Sequence, residues 1–237
     1  MPRVVSGWSA RSSLTAVAPC VALALGPALA GCVDILGDYS AGGPDCEASD
    51  CQQSARWLRS YGDAADQYIG GVAVDASDNA YLVGTVLGSI DFGGGPQTSA
   101  GDGDAFLAKL DANGNPLFSK RFGNTGIDHA TAVATSPDGA VVVVGFFSGT
   151  VDFGGVPLTS AGGLDMFVAK LDSEGQFLWV DGFGGLLDQV AVSVTADRSN
   201  HVILTGCMAG AVDFGAGPES ATGDLDVFVL ALDPAHA

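Results

Sequence analysis

The chain repeats itself every 61 residues, and that period limits what it can fold into. Asp91, Asp152 and Asp213 stand in one recurring phrase, written IDFGGGP, VDFGGVP and VDFGAGP. The register runs without gaps from Trp57 to the C-terminal end of the chain. Trp57, Phe118 and Trp179 align, as do Tyr61, Phe122 and Phe183, each followed by Gly. Val72, Val133 and Val194 align, as do Gly84, Gly145 and Gly206. Asp104, Asp165 and Asp226 open DAFLAKLD, DMFVAKLD and DVFVLALD. One acidic position reads as slipped: Asp66 and Asp188 are in phase, and Asp128 comes one residue late. Self-similarity at a fixed period of this kind signals a repeat architecture.

Each unit reads as four short strands. Strand a is GVAVD, TAVAT or AVSVT, and strand b is NAYLVGTV, AVVVVGFF or HVILTGCM. Strand b is almost continuously apolar, as expected when both of its faces are covered. Strand c is AFLAKL, MFVAKL or VFVLAL, and strand d is LFSKRFG or FLWVDGFG. Segments such as DASDN (75–79) and DANGN (111–115) carry turn chemistry. They lack the spacing and terminal Glu of a calcium-binding EF-hand loop and read as hairpin turns. No segment shows a helical period. The expectation is an all-β chain of four-stranded antiparallel blades, with units at about 57–117, 118–178 and 179–235.

The repeat starts out of step with its strands. The repeat region opens with a lone strand d, WLRSYG at 57–62, and strand c at 227–232 has no strand d after it. The first segment could complete the last blade, which would remove a sheet edge. The order DNAYLVGTV, IDFG, GDAFLAKLDANGNPLF, RFG resembles the SBBP β-propeller repeat of secreted and surface bacterial proteins. The resemblance covers Trp57 to Asp233 and implies a blade fold, with no enzymatic activity and no agreed ligand. It departs at Ala231, which stands where the other copies have Lys109 and Lys170. Propellers usually have 4–8 blades. Three units therefore suggest a partial or small β-propeller, with a threefold β-prism as the alternative. An open arc would leave edge strands and favour self-association.

The N-terminal region reads as an address. Residues 1–31 combine Arg3 and Arg11, an apolar run and the sequence LAGC ending at Cys32. This pattern resembles the bacterial lipobox, which implies cleavage before Cys32 and acylation of that residue. Each buried CH₂ of an acyl chain contributes about 0.8 kcal/mol, so several chains give a durable membrane anchor. Val33, in place of Asp, implies the outer membrane by resemblance to enteric lipoprotein sorting. Residues 32–55 are small, polar and acidic, a flexible tether in which Cys46 and Cys51 are expected to form a local disulfide. Residues 56–235 form the repeat domain. Cys207 lies within a strand, where a buried thiol is the favoured reading.

The net charge is −18, and removing the leader with its two arginines takes it to −20. Only nine Lys and Arg are present and none form a run, which argues against nucleic acid as a partner.

Chemistry-bearing residues are sparse. His129, His201 and His236 occupy different phases of the repeat and form no metal spacing. No nucleophile elbow or phosphate-binding loop occurs. The recurring Trp57, Phe118 and Trp179 read as sheet packing before carbohydrate stacking. The b-to-c connection, about 88–103, is long for a compact domain, and long connections often carry function. In the phrase itself, Asp91 can cap the following amides, Phe92 can anchor the loop, and Gly93 allows an unusual backbone conformation. The alternative is a ligand or cation loop built from Asp91, Asp102, Asp104, Asp152, Asp213 and Asp224, with calcium the one candidate cofactor. The sequence thus favours a lipid-anchored envelope module that binds or scaffolds protein or glycan without catalysis. The rivals are an envelope hydrolase or lyase using loop carboxylates, and a truncated repeat protein with no function of its own.

Overall fold

A computed structural model of the protein describes residues 55–234. Every regular element among them is a strand. Grouped by sheet, so that strand d is counted with the strand c it pairs with, unit 1 contains β1 (Gln67–Val74), β2 (Ala80–Val86), β3 (Ser89–Ile90), β4 (Gln97–Thr98), β5 (Asp104–Leu110) and β6 (Pro116–Phe122). Unit 2 repeats the series as β7 (Asp128–Thr135), β8 (Val141–Phe147), β9 (Thr150–Val151), β10 (Leu158–Thr159), β11 (Asp165–Leu171) and β12 (Phe177–Phe183). Unit 3 contains β13 (Gln189–Ala196), β14 (Val202–Met208), β15 (Ala211–Asp213), β16 (Pro218–Ser220) and β17 (Asp226–Leu232).

Units 1 and 2 each form a four-stranded antiparallel sheet in the order a-b-c-d. Unit 3 has three strands, β13-β14-β17. Each a–b pair carries a bulge at the same place, at Gly70, Thr131 and Val192. Bulges bend a strand and increase its local twist. At Gly70 the bulge also brings β1 onto β7, where a Cβ would collide with the Ala130 carbonyl.

The a–b and c–d turns lie at one end of the sheets, and all but the a–b turn of unit 2, which begins at Ser136, share one device. An Asp carboxylate accepts from the amides two and four residues ahead of it. Asp75 accepts from Ser77 and Asn79, and Asp111 from Asn113 and Asn115. Asp172 accepts from Glu174 and Gln176, and Asp197 from Ser199 and His201. These are hairpin turns closed by their own side chains. The Asn115 amide holds Asp111 below the usual carboxylate range, and the His201 ring, followed by the turn amides, does the same for Asp197.

The sheets stack face to face. One core layer joins the faces of units 1 and 2, with Val83, Leu107, Val143, Phe167 and Leu171 at its centre. A second joins units 2 and 3 through Val144, Met166, Val168, Ala191, Leu204 and Phe228. Polar links bridge the same junctions. Thr135 donates to the Val74 carbonyl at 3.0 Å and Thr131 to the Ala191 carbonyl at 2.7 Å. The Lys109 ammonium and the Tyr81 hydroxyl both reach the Ser173 carbonyl of unit 2.

Two expectations are corrected here. Residues 57–62 are not a strand, and no strand among the described residues pairs with the edge of β17 that strand d would occupy. The segment lies on unit 1, at the far end of the stack from β17, so it has no strand c beside it. No sheet among the described residues closes on itself. Asp128 is also not slipped. It begins β7 at the position where Gln67 begins β1 and Gln189 begins β13. The Asp128 carboxylate accepts from the Asn124 amide, and the Gln189 side chain accepts from the Gly185 amide. Asp and Gln are interchangeable for that one bond, which hides the register from an inspection of charge.

Candidate functional site

The b-to-c connections lie at the end of the stack opposite the Asp-closed turns. Each folds into a short hairpin, β3–β4, β9–β10 or β15–β16, with the recurring phrase at its tip. Asp91 accepts from the Gly93 and Gly95 amides at 2.7 and 3.0 Å, and Asp213 from Gly215 and Gly217 at the same distances. Asp152 accepts from Gly154 at 2.7 Å. The first glycine of each tip has a positive φ of 100–112°, which a side chain would strain. In unit 2, Val156 stands where the other tips have Gly95 and Gly217.

The phrase Phe is the anchor. Phe92 and Phe153 are buried and Phe214 is half-buried. Each lies between an aromatic on strand c of its own unit and an aromatic that precedes that unit. Phe153 stands 4.7 Å from Phe167 and 4.8 Å from Phe122. Phe214 stands 5.1 Å from Phe228 and 5.7 Å from Phe183. Phe92 stands 5.3 Å from Phe106 and 4.6 Å from Tyr61. Such tilted aromatic contacts contribute about 0.5–1.5 kcal/mol beyond area burial.

The acid that opens strand c closes the long connection. Asp104 accepts from the Ala100 amide, Asp165 from Ala161 and Asp226 from Thr222. Asp104 is fully buried and ion-paired with Arg121, which also donates to the Gly123 carbonyl. In unit 2, Gly182 stands where unit 1 has Arg121, and burial pushes the Asp165 carboxyl up. One oxygen of Asp165 and one of Asp128 are buried without a hydrogen-bond partner. Burial raises the Asp128 carboxyl to about 6, with nearby Asp104 adding to the effect. The neighbouring His129 stacks on Phe146 at 4.9 Å, and burial lowers it to about 4.

The predicted ligand residues therefore fall into different settings. Asp91, Asp152 and Asp213 are exposed at three hairpin tips and bond to their own loops. Asp102 and Asp224 are exposed in the connections, and Asp104 is buried against Arg121. Among the described residues, no three His, Cys, Asp or Glu side chains gather as a metal-holding group. Cys32, Cys46 and Cys51 lie outside the described residues. Cys207 is disulfide-bonded, which replaces the expected free core thiol.

An apolar groove on unit 1 was not foreseen. It has a volume of about 230 Å³ and is lined by Tyr61, Ile69, Leu82, Phe92, Phe106 and Leu110. Its floor is the face of unit 1 turned away from unit 2, and residues 57–62 lie along one side. The period contained a usable signal: a face that is core in units 2 and 3 has no preceding unit to cover it in unit 1.

The sequence matches no protein-family model and no curated protein.

Proposed function

We propose that the chain is a lipid-anchored outer-membrane protein whose propeller-type repeat array is a non-enzymatic binding or scaffolding module for envelope protein or glycan. The supporting observation is the common placement of the three b-to-c hairpins at one end of the sheets. Three similar tips at one end suit contact with an extended or repetitive partner. The phrase carboxylates bond to backbone amides of their own loops, so the tips are built for shape. On this reading Cys32 carries the acyl chains, and residues 33–55 set the domain off from the membrane.

The test has two arms. Mass spectrometry of the mature N-terminus is expected to find acylated Cys32, and an unmodified, released protein rejects the anchor. A panel of envelope proteins and glycans is expected to yield a ligand whose binding is lost when Gly93–Gly95, Gly154–Val156 and Gly215–Gly217 are replaced together. Turnover in a hydrolase or lyase panel would reject the non-enzymatic reading.

A further inference from the structure

From the two ends of the stack, we infer that two copies of this chain join head to tail. Residues 57–62 of one copy would supply the missing strand d beside β17 of the other. The inference is independent of the proposed binding role.

Residues 57–62 already occupy the place of a strand d belonging to a unit before unit 1. Tyr61 contacts Phe92 as Phe122 contacts Phe153 and Phe183 contacts Phe214. The Trp57 ring abuts Gly114 as the Phe118 ring abuts Gly175. Asp63 fixes the end of the segment, accepting from the Ser89 amide at 2.8 Å and from Gln67. Among the described residues, the segment has the position of a strand d with no strand c beside it, and β17 is a strand c with no strand d beside it.

The exposed faces match this assignment. On unit 1, Ile69 and Val72 are 66% and 62% exposed, while their unit 2 counterparts Ala130 and Val133 are 3% and 7% exposed. On unit 3, Val227 and Val229 are 80% and 77% exposed, while Ala105 and Leu107 are fully buried. The polar groups match as well. Between units 1 and 2, Tyr81 and Lys109 donate to the Ser173 carbonyl. Their unit 3 counterparts, Ile203 and Ala231, cannot donate. The carbonyl corresponding to Ser173 is that of Ala112, and it already accepts from the Trp57 indole at 3.2 Å. One surface has lost its donors, and the acceptor on the other is satisfied.

Two copies give two identical junctions related by a twofold axis, which closes the assembly. Two sets of the three described units make six, within the usual 4–8 of a propeller, and joining both pairs of open ends leaves no free edge among them. The register follows from β5–β6, where Leu107 faces Lys120 and Lys109 faces Phe118. It places Val229 opposite Arg59, and Ala231 opposite Trp57, of the second copy.

The test uses the full chain purified in detergent. Light scattering is expected to give the mass of two chains. Val227→Asp with Val229→Asp is expected to reduce this to one chain with an unchanged circular dichroism spectrum, since both side chains are exposed in the single chain. Co-expressed Arg59→Cys and Val229→Cys chains are expected to cross-link to each other, whereas Leu186→Cys with Val229→Cys is not. The inference is overturned by a one-chain mass for the unmodified protein or by a paired mass that survives the double Asp change. It is also overturned by an Arg59→Cys/Val229→Cys double variant that cross-links within one chain, or by assemblies larger than two chains.

Discussion

Strand c of unit 2 and strand c of unit 3 share four of seven residues and the same apolar pattern, and they have different environments. β11 is buried along its whole length between units 1 and 3, whereas β17 buries one face and leaves Val227 and Val229 in solvent. The difference comes from what stands next to each strand. In a stacked array the same apolar side chain is core or surface according to whether a following sheet exists. Sequence pattern fixes which face is apolar, and topology decides whether that face is covered.

The largest expected effect breaks this comparison directly. Leu107, Val168 and Val229 share one position of the repeat. Leu107→Ala empties a fully buried site and is expected to cost about 2–5 kcal/mol. Val229→Ala is expected to change the stability of the dissociated chain by less than about 0.5 kcal/mol. Urea unfolding at matched dilution checks both, and equal losses would mean that the two positions are equally covered.

A second contrast concerns Asp104 and Asp165. Arg121→Met leaves Asp104 buried without its cation, and breaking a buried pair costs about 3–5 kcal/mol. The corresponding change in unit 2, Gly182→Ala, removes no ion pair from Asp165 and is expected to cost much less. Its nearest neighbour would be a flexible Leu158 methyl. Thermal melts of the two variants give the comparison.

The third contrast is between adjacent residues. The Asp128 carboxyl is raised to about 6 in the folded chain, so the folded state holds a proton that the unfolded state has released above about pH 4. That contribution lowers stability as pH rises from about 4 to 6. The imidazole of His129 is depressed to about 4, so its contribution raises stability as pH rises from about 4 to 6.5. The two effects oppose each other. Relative to the unmodified chain, Asp128→Asn is expected to make stability rise more steeply with pH in this window, and His129→Phe to make it fall. Parallel pH curves for all three proteins would contradict these assignments.

The smallest effect lies in the recurring phrase. Asp91→Asn keeps an acceptor for the Gly93 and Gly95 amides, whereas Asp91→Ala removes it. The Ala variant is expected to cost about 1 kcal/mol, by analogy with loss of a helix cap, and the Asn variant a few tenths. If calcium raised the melting temperature of the unmodified protein and not of Asp91→Asn, the carboxylate would have a role beyond its turn.

Much of the fold was legible because the repeat supplies three readings of each position. The four-strand unit, the Asp-closed turns and the anchoring role of Phe92, Phe153 and Phe214 follow from the period and from turn chemistry. The short hairpins at 89–98, 150–159 and 211–220 were not legible, since two- or three-residue strands leave no alternation to detect. Asp104 resembled a loop ligand because its partner Arg121 lies 17 residues away on another strand. WLRSYG at 57–62 read as a strand because it has strand composition. A strand also needs a neighbour, and among the described residues that neighbour is absent.

Amide hydrogen exchange compared between residues 166–171 and 227–232 tests the open-ended stack most directly. At dilutions where the chain is alone, β17 is expected to exchange much faster than β11, and to gain protection together with residues 57–62 as concentration rises. Equal protection of the two strands at every concentration would show that the stack closes within one chain, contrary to this account.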